Sequence, residues 1–450
     1  MAISSLRGQL SSDLGDNIFL RIFLYATIWY IYIVFMGRHA PYGIEWADYH
    51  SQRLFNAIEY LRLNGYFTNF GFSIWSSCTD CDLSSPTWVE KIYLSGIALK
   101  LLPYIVLNSL GGEEAFRYFG SAIDKAVIFT TGVLVTELLG RGIRQRSSLP
   151  MLWVSAVCFS LFVTSPWTYM MLIAAWAEIW FLLFFLLAIL CFNLNSRRGG
   201  FVFFFTACLM HYQWGLVVVF IWTSAFFLAI LLKESEFVKS FIPKFCNNRL
   251  SILTLFGLSA ISLALQFGLQ FLFLSTRSVK SDGSSLLARV GISGTDPHNG
   301  GLLGALQFLG GSRITVCFGD RSGFFTGALE QKIAAYNCSL SIAGMAVISS
   351  LALVGAACLL KHVRELRAPL FSLLVALLIF VSVLQQSLSV HLLGYSYIFT
   401  FIFVGGLLGL IVWFTSLIKS SVISIIFLTP LVTGVILLSI RVSMLGGFVG

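Results

Sequence analysis

Apolar runs long enough to cross a bilayer recur along this chain with short basic clusters between them, and that alternation constrains the fold more than any other feature. The runs cover 18–35, 121–139, 151–164, 176–192, 201–210, 216–232, 252–275, 340–360, 370–384, 398–414 and 422–440. A hydrocarbon core of about 30 Å takes roughly 20 helical residues, and the shorter runs are accepted where flanking charges demand a span. Arg141, Arg144 and Arg146, then Arg197 and Arg198, then Lys233, Lys239, Lys244 and Arg249, and finally Lys361, Arg364 and Arg367 fall where cytoplasmic segments belong under the positive-inside rule. Barrel strands alternate in hydropathy and these runs do not. The expected fold is an all-α polytopic membrane protein of about eleven transmembrane helices.

Composition agrees, with 57% hydrophobic and 11% charged residues and a mean hydropathy of +0.87. Soluble domains are about 25% charged. The net charge of +9 is scattered between apolar runs rather than gathered on one face, so it reads as topology and not as a nucleic-acid surface. The first run is long enough to span and lacks a small-residue cleavage site, which predicts an anchor rather than a cleaved leader.

From a cytoplasmic N-terminus the chain divides as a single integral-membrane domain, 1–450. It comprises an outer segment 37–120 with interfacial helices, a helical core 121–275, a second outer loop 276–339 and C-terminal helices 340–450, the last ending outside. The apolar stretch 92–110 contains Lys100 and Pro103, and counting it as a span would put Arg141, Arg144 and Arg146 outside; it is read as non-spanning. In the outer segment Leu54, Ile58 and Leu61 recur at helical spacing, with Gln52, Arg53, Asn56 and Arg62 on other faces, predicting an amphipathic helix in the membrane interface that stops at Asn64-Gly65. Cys78, Cys81, Cys317 and Cys338 all lie on the outer, oxidising side; pairing Cys78 with Cys81 and Cys317 with Cys338 is one arrangement. Five of the six histidines fall on or near the same side, only His362 being cytoplasmic.

Several stretches carry a resemblance by their order. Glu45, Asp48 and Tyr49 follow the first helix, and Ala57, Leu61 and Gly65-Tyr66 succeed them. Further on come Leu139-Gly140-Arg141, Thr164-Ser165-Pro166-Trp167, Trp176-Ala177-Glu178 and His211-Tyr212-Gln213-Trp214-Gly215-Leu216. This succession resembles the GT-C superfamily of integral-membrane glycosyltransferases, including the protein mannosyltransferase and aminoarabinose transferase-like enzymes, over about the first half of the chain. The acids stand three apart here rather than adjacent or as Asp-x-Asp. The resemblance implies a polyprenyl-phosphate sugar donor, a lipid, glycan or protein acceptor, a second outer loop at 164–175 carrying a further carboxylate, and an open question over a divalent metal. It fits a bacterial plasma membrane better than the endoplasmic reticulum.

Sugar transfer needs a base for the acceptor hydroxyl and stabilisation of the departing phosphate. Asp48 is the expected base, with Glu45 second; on a helix start either acid also serves simply as a solvated partner of the helix dipole. Glu178 opens a strongly apolar helix, where a carboxylate is costly unless it meets a polar cavity or water. Substrate contacts are further assigned to His50, Arg53, Lys100, His211, Arg289, His391 and Tyr395, with Lys91 and Arg313 as additional phosphate candidates. Snorkelling is the plain reading of Lys100, and a structural role that of His391. Asp124 with Lys125, and Glu137 with Arg141, read as local pairs along one helix. Gly300-Gly301 and Gly310-Gly311 lack the pattern of a phosphate loop and read as flexible loop. Asn337-Cys338-Ser339 matches a glycosylation sequon.

Two other functions compete with transfer of this kind. A transporter or lipid-linked glycan flippase should show internal repeats and broken helices. An O-antigen-type polymerase or ligase would use arginines of the large outer loop, here Arg289, Arg313 and Arg321.

Overall fold

The computed structural model describes residues 17–41, 43–44, 48–65, 72–75, 91–97, 101–144, 149–173, 178–210, 253–262, 306–312, 314–318, 328–362, 396–418 and 420–445, with isolated positions beside them. The helices are α1 (Ile18–His39), α2 (Asp48–Asn64), α3 (Leu102–Arg144), α4 (Met151–Thr164), α5 (Pro166–Ile173), α6 (Glu178–Asn193) and α7 (Arg197–Met210). They continue through α8 (Leu253–Ser262), α9 (Leu329–His362), α10 (Ser396–Leu417) and α11 (Ser421–Ser443). An antiparallel two-strand ribbon, β1 (Phe72–Trp75) with β2 (Lys91–Ile97), interrupts the helical pattern between α2 and α3.

The chain is a helical membrane protein. Among the described residues α1, α9, α10 and α11 are long and apolar enough to cross a bilayer, and the bent pair of α4 and α5 adds a fifth if it is one span. The stretch 92–110 is not one helix, being divided between β2 and the first turns of α3. The helix expected over 121–139 is the second part of a much longer one: α3 runs 43 residues, with a break at Gly112, whose φ of 68° is non-helical. Glycine takes that conformation without the steric penalty a side chain brings.

Helix α1 starts at Asn17, whose side chain accepts from the Phe19 amide and caps the first turn. Phe19, Phe23 and Tyr30 point outward while Tyr25, Tyr32 and Met36 are buried against the bundle. The one basic residue on the buried face, Arg21, meets Glu137 of α3 in a two-pronged contact at 2.9 and 3.0 Å, and the Tyr25 hydroxyl donates to the same carboxylate at 2.8 Å. Glu137 thereby joins α1 to α3, while the side chain of Arg141, its expected local partner, lies outside the described residues. A charge at this depth requires a facing partner, and the forked guanidinium supplies two donors to one carboxylate.

The bend between α4 and α5 is written in Ser165-Pro166. Proline at the first helical position lacks a donor that would have been orphaned there, and the preceding serine caps: Ser165 Oγ accepts from the Thr168 amide at 3.2 Å. The Thr168 hydroxyl donates to the Phe162 carbonyl at 2.6 Å, satisfying backbone that the break exposes. The two axes meet at 54°. Trp167, 1% exposed, packs its ring on Phe399 and Phe403 of α10 at 4.4 and 5.2 Å and donates its indole N–H to the Phe308 carbonyl. The outer loop expected over 164–175 is thus a correction too: 164–173 is buried helix around a bend.

Helices α6 and α7 form a hairpin whose turn places Asn195 at φ 60°, a region asparagine tolerates. Helices α9 and α10 approach closely through Gly355, Gly406 and Gly409, where a methyl group would run into facing backbone at Ala352, Gly355 and Gly406. Cys317, in the 3-10 turn Ile314–Phe318, is disulfide-bonded to Cys338 of α9, as the outer-side placement suggested. Cys158 and Cys208 are buried in apolar helices and are not disulfide-bonded.

Candidate functional site

The amphipathic helix α2 is where the expected catalytic acid lies, and Asp48 is its first residue. Its apolar stripe is not left for the membrane interface. Ala57, Ile58 and Leu61 are buried with Leu101, Tyr104 and Phe116 of the α3 region in a small separate core. Phe55 packs on Phe116 at 5.7 Å. Asn56, expected on another face, is buried as well at 3% exposure. Burial of a stripe this short stabilises by only a few kcal/mol, at about 25 cal/mol per Å², so polar contacts must fix the register.

They do so from Gln52 to Arg62. Gln52 donates to Asn56 at 3.0 Å and accepts from Arg117 of α3 at 3.2 Å. Glu59 accepts from Asn108 of α3 at 2.7 Å and from Arg62 at 2.5 and 2.8 Å. The Arg62 contact, with the Asn108 amide, outweighs partial burial and holds the Glu59 carboxyl below its usual range. Gly65, at φ 87°, ends the helix where the Asn64-Gly65 pair predicted.

A second polar contact lies on the same stretch of α3. Buried Tyr104 donates to buried Asp124, and burial raises the Tyr104 phenol well above its ordinary pKa, so it stays a donor. Helix α6 packs on α3, with the Trp180 indole N–H buried and without a hydrogen-bond partner among the described residues. This partner of Asp124 is twenty residues away across the Gly112 break. Sequence reasoning passed over Glu59, Asn108, Arg117, Tyr104 and Asp124 as site-building residues, since none stands in a motif; the signal was a carboxylate at 124 within an apolar run.

These contacts tie the start of α2 to one segment of α3, Gln52, one turn after Asp48, being bonded to Arg117, and α6, headed by Glu178, packs on the same helix. The ribbon joins the same region, β1 against α2 and β2 against α7, the helix that ends one residue before His211. Asp48, His50 and Arg53 are placed in α2 and Glu178 at the head of α6, while what their side chains touch lies outside the described residues. Glu45, Lys100, His211, Arg289, Arg313, Arg321, His391, Tyr395, Cys78 and Cys81 also lie outside them. Among the described residues no three of His, Cys, Asp and Glu gather as a metal site.

No family model, curated protein or solved structure matches this chain.

Proposed function

We propose that this protein is an inverting glycosyltransferase that moves a sugar from a polyprenyl-phosphate carrier to a lipid, glycan or protein acceptor at the exoplasmic membrane face. Asp48, or Glu45 beside it, takes the proton from the acceptor hydroxyl; the hydroxyl oxygen bonds to the anomeric carbon, and the bond to the carrier phosphate breaks. The carrier leaves as polyprenyl phosphate. Glu178 positions acceptor or donor, and the basic residues His50, Arg53, Lys100, His211, Arg289 and His391 are the candidates for the phosphate, with Tyr395 for the sugar. A fold of about eleven spans, with this segment outside, belongs to the same reading.

The observation that supports it is the attachment of α2, the helix that begins at Asp48, to the 104–124 stretch of α3, a helix against which α6, headed by Glu178, also packs. Catalytic and binding groups work when rigid elements set their geometry, and α2 is held by packing and by hydrogen bonds at both ends.

The bent span at Ser165-Pro166 favours a transporter as second reading, because broken helices mark many transport sites. Purified protein in liposomes, supplied with radiolabelled polyprenyl-phosphate sugars, separates the two. Transfer predicts appearance of free polyprenyl phosphate and a glycosylated acceptor. Labelled substrate crossing the bilayer without covalent change would establish transport and remove the transferase reading.

A further inference from the structure

Helix α9 is longer than the hydrocarbon of a bilayer is thick. Its 34 residues span about 51 Å at roughly 1.5 Å each, and even at a tilt of about 40° that leaves roughly 39 Å against a hydrocarbon core of about 30 Å. Lys361 and His362 close the helix at one boundary, and the roughly 20 residues that fill the hydrocarbon bring the chain back to about position 341. The turns from 329 to 340 therefore stand beyond the lipid tails, and exposed Glu330, Gln331 and Lys332 lie on them.

These outer turns nonetheless carry an apolar stripe: Leu329, Ile333, Tyr336 and Leu340 are all more than half exposed. Ala343, Val347, Ser350, Val354 and Ala357, exposed too, continue it with the same alternating steps of four and three residues. A seam that repeats every 3.5 residues is what one helix presents to another running the same way. Ile333, Val347 and Val354 are β-branched at one set of seam positions, a choice that favours two strands over three or four. In the part within the hydrocarbon the other set is small, Ala343, Ser350 and Ala357, which lets backbones approach where lipid gives no hydrophobic drive. The Ser350 hydroxyl donates to the Ala346 carbonyl of its own helix, so it brings no unsatisfied donor to the seam. Beside this part lies an apolar hollow of about 460 Å³, lined by Ala343, Val347 and Val354 with Leu306 of the turn at 306–309 among the described residues, which leaves room for the side chains of a neighbouring helix. The opposite face of α9 is already occupied by α10, Gly355 meeting Gly406 and Gly409.

We propose that α9 pairs through this seam with α9 of a second copy of the chain, the two helices running parallel about a twofold axis normal to the membrane. Both copies cross the membrane in the same sense, so the seam meets itself position for position, as a twofold interface requires. Lipid covers only the turns inside the bilayer, whereas a second copy covers the outer turns as well. The pairing does not rest on the transferase reading.

The test uses the full chain in phosphatidylcholine vesicles. Twofold pairing sets each seam residue opposite its own counterpart, so Ile333→Cys and Tyr336→Cys, oxidised with copper phenanthroline, are expected to give a product of twice the chain mass on non-reducing gels. Gln331→Cys, also exposed but on the far side of the outer turns, stays at the level of the unsubstituted protein. Fluorescently labelled chains bleach in two steps. Ile333→Glu raises the chain-to-lipid ratio at which half the chains are paired by about a hundredfold, as like charges facing across an interface do. Its helical content is retained, because Ile333 lies on the surface. Single-step bleaching of the unsubstituted protein, cross-linking strongest at Gln331→Cys, a cross-linked product of a mass other than twice the chain, or an unchanged pairing midpoint in Ile333→Glu overturns the proposal.

Discussion

Glu59 shows how a residue outside any motif sets the position of one inside it. Its carboxylate joins Asn108 to Arg62 and so holds α2 on α3, three turns from Asp48. Glu59→Gln is expected to weaken that attachment by about 1 kcal/mol, below the full value of a charged hydrogen bond because the Arg62 side is open to water. Hydrogen-exchange protection factors of the α2 amides measure the loss. Because the folded carboxyl lies below its usual value, its contribution is fully present above the free carboxylate range near about 4.3 and is lost as pH falls through the folded value. Protection of α2 should accordingly be unchanged from pH 8 to 6 and fall under acid conditions, and Glu59→Gln should flatten that dependence. Tyr104→Phe tests the other contact: it takes from buried Asp124 its Tyr104 donor, with an expected cost of about 1–3 kcal/mol read from thermal unfolding. Neither partner was legible in the chain, since Asn108 is 49 residues from Glu59 and Tyr104 is 20 from Asp124; helical spacing predicts neighbours three or four apart.

Local rules served better for single elements. The amphipathic helix through Leu54, Ile58 and Leu61, its stop at Asn64-Gly65, and the apolar helices at 18–35, 340–360, 398–414 and 422–440 all followed from periodicity and hydropathy, with boundaries extended in the fold. The Ser165-Pro166 pair was misread as an outer loop, although serine before proline is a helix-start signal, because a helix restarting inside buried surroundings requires Trp167 to find Phe308, Phe399 and Phe403 far along the chain. The glycines of α9 and α10 carry a prediction at this scale. Gly406→Val places a side chain where the Ala352 carbonyl stands, and separation of the helices should cost about 1–3 kcal/mol or more, seen as a lower melting temperature in detergent. The Cys317–Cys338 bridge closes a 21-residue separation, for which loop entropy gives about 3 kcal/mol. Reduction should lower the melting temperature, and peptide mapping without reductant should recover the two cysteines together.

For the whole molecule, composition and run length were enough to indicate a helical membrane protein. They could not specify what sits on α3, because the attachment of α2 and the packing of α6 depend on contacts between distant segments. The helices that begin at Asp48 and at Glu178 share α3 as a support, on which the transferase account rests. The direct measurement is release of polyprenyl phosphate by liposome-reconstituted Asp48→Asn beside the unsubstituted protein and Glu45→Gln. Loss of a general base predicts a fall of about 10²–10⁴-fold in Asp48→Asn, with membrane insertion and the melting temperature retained. Full release by Asp48→Asn, by Glu45→Gln and by Glu178→Gln alike would contradict it.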